Sequence, residues 1–75
     1  MANSNLAYAN YKITKEGIPL ELVRGEGYHY FVFDDGKWFD TISVMVPYTN
    51  SLSYDQWLAE ARAAWRTIQK EMPSA

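Results

Sequence analysis

The sequence contains no cysteine among its 75 residues. A disulfide framework and a thiolate metal site are therefore both excluded. Because a chain without cysteine needs no oxidising compartment, we expect a cytoplasmic location. Internal repeats and low-complexity stretches are also absent, and the length is typical of one domain, so we predict a single small domain over residues 1–75.

Long apolar runs and a large charge of either sign are also missing. No stretch approaches the roughly 18 apolar residues of a membrane-spanning helix. Met1 to Asn5 contain neither the basic segment nor the apolar run of a signal peptide. We therefore expect no membrane partner. The net charge of -2 and the pI near 5.2 disfavour a partner bound mainly through phosphates, because such binding requires a positive surface field.

Residues suited to catalysis are scarce, since histidine occurs once, at position 29. Any Ser-His-Asp triad would have to include His29, and a Cys-His pair is excluded. His29 lies in an apolar run, where a half-buried, hydrogen-bonded imidazole is the expected role, with Glu26 as a nearby candidate partner. One carboxylate and one imidazole do not define a reaction. We therefore predict that the protein is not an enzyme.

Two short stretches contain the residue types of ligand sites without their spacing. Gly25-Glu26-Gly27 precedes a predicted strand, whereas the glycine loops that bind phosphates precede a helix. Asp34, Asp35 and Asp40 lack the alternating carboxylates and closing glutamate of a calcium loop, and Asp-Asp-Gly is common in turns. We therefore predict no cofactor and no metal.

Aromatic residues, by contrast, make up 16% of the chain. A domain of roughly 60 residues buries only about 60% of its unfolded surface, which leaves little stability. Each large aromatic side chain that is buried removes about 150–250 Å² from water. We therefore expect aromatic side chains to supply much of the core.

Two β-prone runs, at residues 28–34 and 41–46, flank a turn rich in Asp and Gly and predict a β-hairpin. Because strand side chains alternate, the hairpin divides into two faces. One face contains His29, Phe31, Phe33, Ile42, Val44 and Val46. The other contains Tyr28, Tyr30, Val32, Thr41, Ser43 and Met45. With a further strand from residue 20, the sequence predicts a three-stranded antiparallel meander over about residues 20–46.

A helix is predicted on each side of the meander. The first covers about residues 4–16, with Ser4 or Asn3 as its cap and Gly17 just past its end. The second covers about residues 53–71 and begins with a Ser-x-x-Gln capping box. Its apolar stripe at three- and four-residue spacing should pack on the sheet. The stripe consists of Leu58, Ala61, Trp65, Ile68 and Met72.

The sequence therefore predicts an α+β fold with the order α-β-β-β-α and the long C-terminal helix on one face of the sheet. The pattern leaves open which face the N-terminal helix covers. If one face stays open, Tyr28, Tyr30 and Met45 form a surface typical of protein contacts, because Tyr offers a large area at low entropy cost and Met adapts its shape. Protein binding, to a foreign partner or to a second copy of this chain, is our main functional prediction.

A second candidate contact is the basic stripe Arg62, Arg66 and Lys70, which repeats every four residues of the second helix. A solvated helix face is the ordinary interpretation, and an acidic partner is the functional one. The alternative to protein binding is a nucleic-acid module in which Tyr28 and Tyr30 stack on bases. The acidic net charge disfavours that alternative.

Three stretches, Gly25-Glu26-Gly27-Tyr28-x-Tyr30-Phe31, Ser43-Val44-x-Val46 and Leu52-Ser53-x-x-x-Trp57, give residues 17–58 a recognisable pattern. It resembles that of small bacterial proteins often carried on phages and plasmids, for which no activity is assigned. The resemblance implies an accessory protein of a mobile element. That class includes stoichiometric inhibitors of host defence such as anti-CRISPR proteins.

Overall fold

The computed structural model describes residues 5–72 and contains two helices and three strands. The elements are α1 (Leu6–Lys15), β1 (Glu21–Arg24), β2 (His29–Asp34), β3 (Phe39–Val44), a short 3-10 turn (Thr49–Ser51) and α2 (Tyr54–Glu71). This order confirms the predicted α-β-β-β-α fold. Neither helix in this part of the chain is long and apolar enough to span a membrane.

The strands form one antiparallel sheet in the order β1-β2-β3. Phe31 in the central strand lies opposite Leu22 and Ile42, and the neighbouring Tyr30 lies opposite Val23 and Ser43. Residues directly opposite one another share a face. The register therefore confirms the predicted division of the hairpin into two faces. The third strand begins at Phe39 and ends at Val44.

Helix α1 begins later than predicted. Its cap is Asn5, whose Oδ1 accepts a hydrogen bond of 2.7 Å from the Tyr8 amide. The predicted caps Ser4 and Asn3 lie outside the described residues. The end agrees with prediction, since Gly17 has a φ of 79° and the next amide, of Ile18, donates to the carbonyl of Ile13.

Helix α2 begins as predicted because its capping box is complete. The Ser53 hydroxyl accepts from the Gln56 amide at 3.1 Å, and Gln56 Oε1 accepts from the Ser53 amide at 2.8 Å. Such a pair satisfies backbone amides that have no partner within the helix. The buried face of α2 also includes Trp57 and Ala64, while Trp65 and Met72 of the predicted stripe are only partly buried.

Both helices pack on the same face of the sheet, which we call the covered face. Helix α1 contacts α2 and β1, and α2 contacts β2 and β3. The core between them consists of Ala9, Ile13, Ile18, Leu20, Leu22, Phe31, Phe33, Trp57, Leu58, Ala61, Ala64 and Ile68. The question that the sequence left open is therefore answered: α1 lies beside α2, and neither helix crosses the second face.

The Asn10 side chain connects α1 to the outer edge of β1 through two hydrogen bonds. Its amide nitrogen donates to the carbonyl of Leu22 at 2.9 Å, and its amide oxygen accepts from the Leu22 backbone amide at 2.7 Å. The side chain therefore replaces part of a neighbouring strand. An edge strand with unsatisfied backbone groups invites pairing with other chains, and this contact removes that opportunity at the centre of β1.

Candidate protein-binding surface

The second face of the sheet, which we call the open sheet face, contains the predicted contact residues. Tyr30 and Val32 of β2 are half-buried at its centre, between Val23 of β1 and Ser43 and Thr41 of β3. Tyr28 precedes β2, and its ring lies 5.8 Å from that of Tyr30.

The Tyr28 ring packs directly against the backbone of Gly25. A Cβ atom at this position would lie 2.9 Å from Cε1 of Tyr28, which is closer than side-chain contacts normally allow. The Gly25 amide also donates to the Tyr28 carbonyl at 2.8 Å and closes the turn between β1 and β2. The absence of a side chain therefore lets the Tyr28 ring lie against the turn and extend the aromatic surface of Tyr30.

Two large apolar side chains lie along β3 in contact with solvent. Met45 is 77% exposed and Phe39 is 64% exposed. Phe39 has the same strand parity as Thr41 and therefore belongs to the open sheet face. Phe39 was not among the predicted contact residues, although its parity is visible in the sequence and it is the first residue of β3. Exposed apolar side chains grouped on one face are typical of interaction sites.

The outer edge of β3 is the less protected edge of the sheet. The backbone N–H and C=O groups of Leu22 point away from β2, toward Asn10. In an antiparallel sheet, residues whose backbone groups point to one side alternate with residues whose groups point to the other. The register therefore places the backbone N–H and C=O groups of Thr41 and Ser43 on the outer edge of β3. The Thr41 amide is satisfied by Oδ1 of Asp40 at 2.8 Å. Among residues 5–72, no further strand pairs with this edge.

The structure does not bring the second predicted surface next to the first. Arg62, Arg66 and Lys70 are exposed on α2, and the sheet separates that helix from the open sheet face. Arg62 forms an ion pair with Glu16 at the end of α1. Both partners are largely exposed, so the pair contributes little to stability.

His29 is fully buried, which corrects the prediction of a half-buried imidazole. Its Nδ1 lies 2.9 Å from the carbonyl oxygen of Val46, and its Nε2 lies 2.9 Å from Oγ1 of Thr49. Because a carbonyl only accepts, Nδ1 donates and Nε2 accepts from the Thr49 hydroxyl. Glu26 is not among these partners. The ring packs 5.1 Å from that of Trp57, so His29 belongs to the core.

Two aspartates of the hairpin stabilise its turn by accepting hydrogen bonds from backbone amides. Asp34 Oδ1 accepts from the Gly36 amide, and Asp35 Oδ1 accepts from the amides of Lys37 and Trp38. These two amide hydrogen bonds lower the pKa of Asp35, because they favour its charged form.

Asp40 faces away from this turn, toward the end of α2. Its hydrogen bond to Glu71, together with its charge, raises the pKa of Glu71. The three aspartates therefore do not converge on one point. Within the part of the chain that the structure describes, no three His, Asp or Glu side chains are arranged to hold a metal ion.

A cavity of about 380 Å³ lies between the helices, on the side away from the sheet, and we call it the helix groove. It is lined by Tyr8, Tyr11, Lys12, Lys15, Glu16 and Leu58. This groove was not predicted from the sequence. The signal was the four-residue spacing of Tyr8 with Lys12 and of Tyr11 with Lys15, which places each lysine beside a tyrosine on one helix.

Comparison with protein families, with curated proteins and with solved structures gives no match to this chain. The resemblance to small proteins of phages and plasmids therefore stays a prediction. The geometry of the open sheet face is the basis for assigning a function.

Proposed function

We propose that this protein is a non-enzymatic binding module that docks a partner protein on the open sheet face. The observation that supports this proposal most strongly is the placement of α1 and α2 on the same side of the sheet. A three-stranded sheet whose helices share one face leaves its other face available for contact.

The chemistry of the open sheet face suits a protein partner. Tyr28 and Tyr30 present rings and hydroxyl groups, and Phe39 and Met45 present apolar area. Interface centres are rich in Tyr, Phe and Met and poor in charge, and they combine apolar area with a few polar groups. Two charged residues of the three strands share this face, Glu21 at the start of β1 and Asp34 at the end of β2, and both lie at its margin.

The biological role that we propose follows from the resemblance to small proteins of phages and plasmids. An accessory protein of a mobile element can act by binding a host protein stoichiometrically and blocking its surface. Such inhibition requires no catalytic group, which agrees with the enclosed position of His29.

A homodimer is the alternative to a foreign partner, and the open edge of β3 favours it because that edge can pair with a second copy. Phe39 and Met45 lie three residues on either side of Ile42. If two β3 strands paired antiparallel about Ile42, Phe39 of one copy would lie opposite Met45 of the other, and no like charges would face each other. A nucleic-acid partner is less well supported, since Glu21 would repel phosphates.

Site-specific photocrosslinking tests the proposal. A benzophenone amino acid replaces Tyr30 in one variant and Met45 in another, and a third variant carries it at Thr67, which is exposed on α2. We expect the first two variants, but not the third, to crosslink one host protein when expressed in a bacterial cell.

The captured protein is then purified and titrated with the unmodified chain and with a Tyr30→Ser variant. Stoichiometric binding that weakens in the variant supports the proposal. A crosslinked product of twice the chain mass indicates a homodimer instead, and a product removed by nuclease indicates a nucleic acid. Identical products from Tyr30 and Thr67 would contradict a role for the open sheet face.

A further inference from the structure

The helix groove is a second concave surface, separated by the sheet from the open sheet face. Its α1 wall consists of Tyr8, Tyr11, Lys12 and Lys15, and Leu58 of α2 lies on the other side. The volume of about 380 Å³ falls within the range of about 300–1,000 Å³ that is typical of ligand sites.

Each tyrosine of α1 in this groove has a lysine one helical turn further along the chain. The Lys12 ammonium lies 5.9 Å from the centroid of the Tyr8 ring, and the Lys15 ammonium lies 5.7 Å from that of Tyr11. These weak contacts favour side-chain conformers in which both ammonium groups lie along the wall of the groove. Positive charge is therefore concentrated beside the two rings.

The tyrosine rings are supported on the inner side and accessible on the outer side. Tyr8 packs edge-on against Tyr54 of α2, with centroids 4.9 Å apart, and stacks on Tyr11 at 5.7 Å. Tyr8 is 45% exposed and Tyr11 is 54% exposed. A ligand can therefore contact both rings without any rearrangement of the helices.

The charge of the groove is opposite to that of the protein. Glu16 is the carboxylate that lines it, and the guanidinium of Arg62 already engages that carboxylate. Lys12 and Lys15 are left without a carboxylate partner among residues 5–72. A positive site on a chain of net charge -2 selects for a negatively charged ligand.

We propose that the helix groove binds an acidic peptide segment that also carries an aromatic side chain. The carboxylates of the segment would contact Lys12 and Lys15, and its ring would lie on Tyr8 and Tyr11. A peptide suits the groove better than a nucleic acid does, because the basic side chains are few and acidic groups elsewhere on the protein repel an extended phosphate backbone. This site does not depend on the open sheet face.

Fluorescence anisotropy with a labelled peptide of alternating glutamate and tyrosine tests the proposal. The full chain is titrated into this probe at low salt, beside a glutamine-tyrosine peptide and a thymidine oligonucleotide of similar length. We expect the glutamate-tyrosine probe to bind best, and its binding to weaken as ionic strength rises above about 0.1 M.

The double variant Lys12→Gln/Lys15→Gln should weaken binding by about tenfold, because two charge contacts are lost. Lys37→Gln removes one positive charge on the hairpin turn, as Lys15→Gln does in the groove, and should leave binding unchanged. If the double variant fails to fold by circular dichroism, Lys15→Gln alone replaces it, since Lys15 is exposed and outside the core.

Three results would overturn the proposal: absence of binding at low salt, equal weakening by Lys37→Gln, or tighter binding of the oligonucleotide. Loss of binding in Tyr30→Ser with no effect of the lysine variants would also overturn it, because that result places the peptide on the open sheet face. The photocrosslinking experiment reports on that face independently, so the two proposals fail separately.

Discussion

The two faces of β2 differ although their residues alternate along one strand. His29, Phe31 and Phe33 on the covered face are buried, whereas Tyr30 and Val32 on the open sheet face are only half-buried. Successive side chains point to opposite sides, so a single strand contributes to the core with one set of residues and to a contact surface with the other. Substitutions at neighbouring positions should therefore separate stability from binding.

The largest effect is expected from truncation on the covered face. Phe31→Ala should lower the free energy of unfolding by about 3–5 kcal/mol, because the side chain is fully buried and packs against Trp57. Tyr30→Ala should lower it by about 1 kcal/mol, through loss of cross-strand contacts.

Urea denaturation of the two variants measures this difference. If Phe31→Ala does not fold, Phe31→Leu gives a milder version of the same test. Equal losses at positions 30 and 31 would contradict the division into a covered and an open face.

An intermediate effect is expected where the covered face contains a polar group. His29→Phe keeps a ring beside Trp57 but removes the partners of the Val46 carbonyl and the Thr49 hydroxyl. Because both groups are enclosed, we expect a loss of about 1–3 kcal/mol in unfolding free energy.

The double variant His29→Phe/Thr49→Val is the control, because it also removes the Thr49 hydroxyl that loses its partner in His29→Phe. Its loss should be smaller than the sum of the two single losses, since the pair interacts. Additive losses in urea denaturation would show that the hydrogen bond between His29 and Thr49 contributes nothing.

A smaller effect on stability, with a larger one on binding, is expected from Gly25→Ala. The added methyl group would displace the Tyr28 ring, which is the flexible end of a side chain, so the stability change should stay within about 1 kcal/mol. The open sheet face should lose its aromatic continuity, and photocrosslinking from Met45 should decrease. Gly36→Ala, on the other hairpin turn, is less suitable as a control because its φ of 85° adds backbone strain. Thr67→Ala on α2 serves instead.

The smallest effect is expected at the acidic end of the covered face, where Asp40 faces Glu71. The pKa of Glu71 in the folded chain is raised above its ordinary value of 4.5, so the folded chain binds this proton more tightly than the unfolded chain does. The resulting stability is present at low pH and is lost as pH rises through and above 4.5. Asp40→Asn should therefore raise Tm at neutral pH and have little effect below pH 4.5.

Asp35→Asn is the control with the opposite sign. The pKa of Asp35 is lowered below 3.8, so its contribution is present above that pH and is lost as pH falls below it. This variant should lower Tm at neutral pH and have less effect in acid. Thermal unfolding at several pH values checks both substitutions, and a shift of the same sign for the two would contradict these assignments.

Local patterns in the sequence predicted most of the secondary structure. The capping box of Ser53 and Gln56 placed the start of α2, and Gly17 placed the end of α1, because both signals act within one helical turn. The start of α1 was predicted too early, at Ser4 or Asn3, because several neighbouring polar residues are equally good caps. The observed cap, Asn5, directly precedes the first partly buried residue of the helix, Leu6.

The candidate surfaces were predicted less completely. Alternation identified Tyr28, Tyr30 and Met45 as one set, but Phe39 was not included although it belongs to β3. The helix groove was also missed, since Tyr8, Lys12 and Leu58 come together only when α1 and α2 lie side by side.

The sequence by itself determined which side chains share a strand face, where α1 ends and where α2 begins. Those properties depend on neighbours within a few residues, since strand alternation and helix capping are local. Tertiary structure decided which face of the sheet α1 covers and brought Asn10 to the backbone of Leu22. It also placed the open sheet face and the helix groove on opposite sides of the sheet. A short helix with a mixed apolar face can pack on either side of a sheet, and only the combined burial of Ala9 and Ile13 with the residues of α2 selected one.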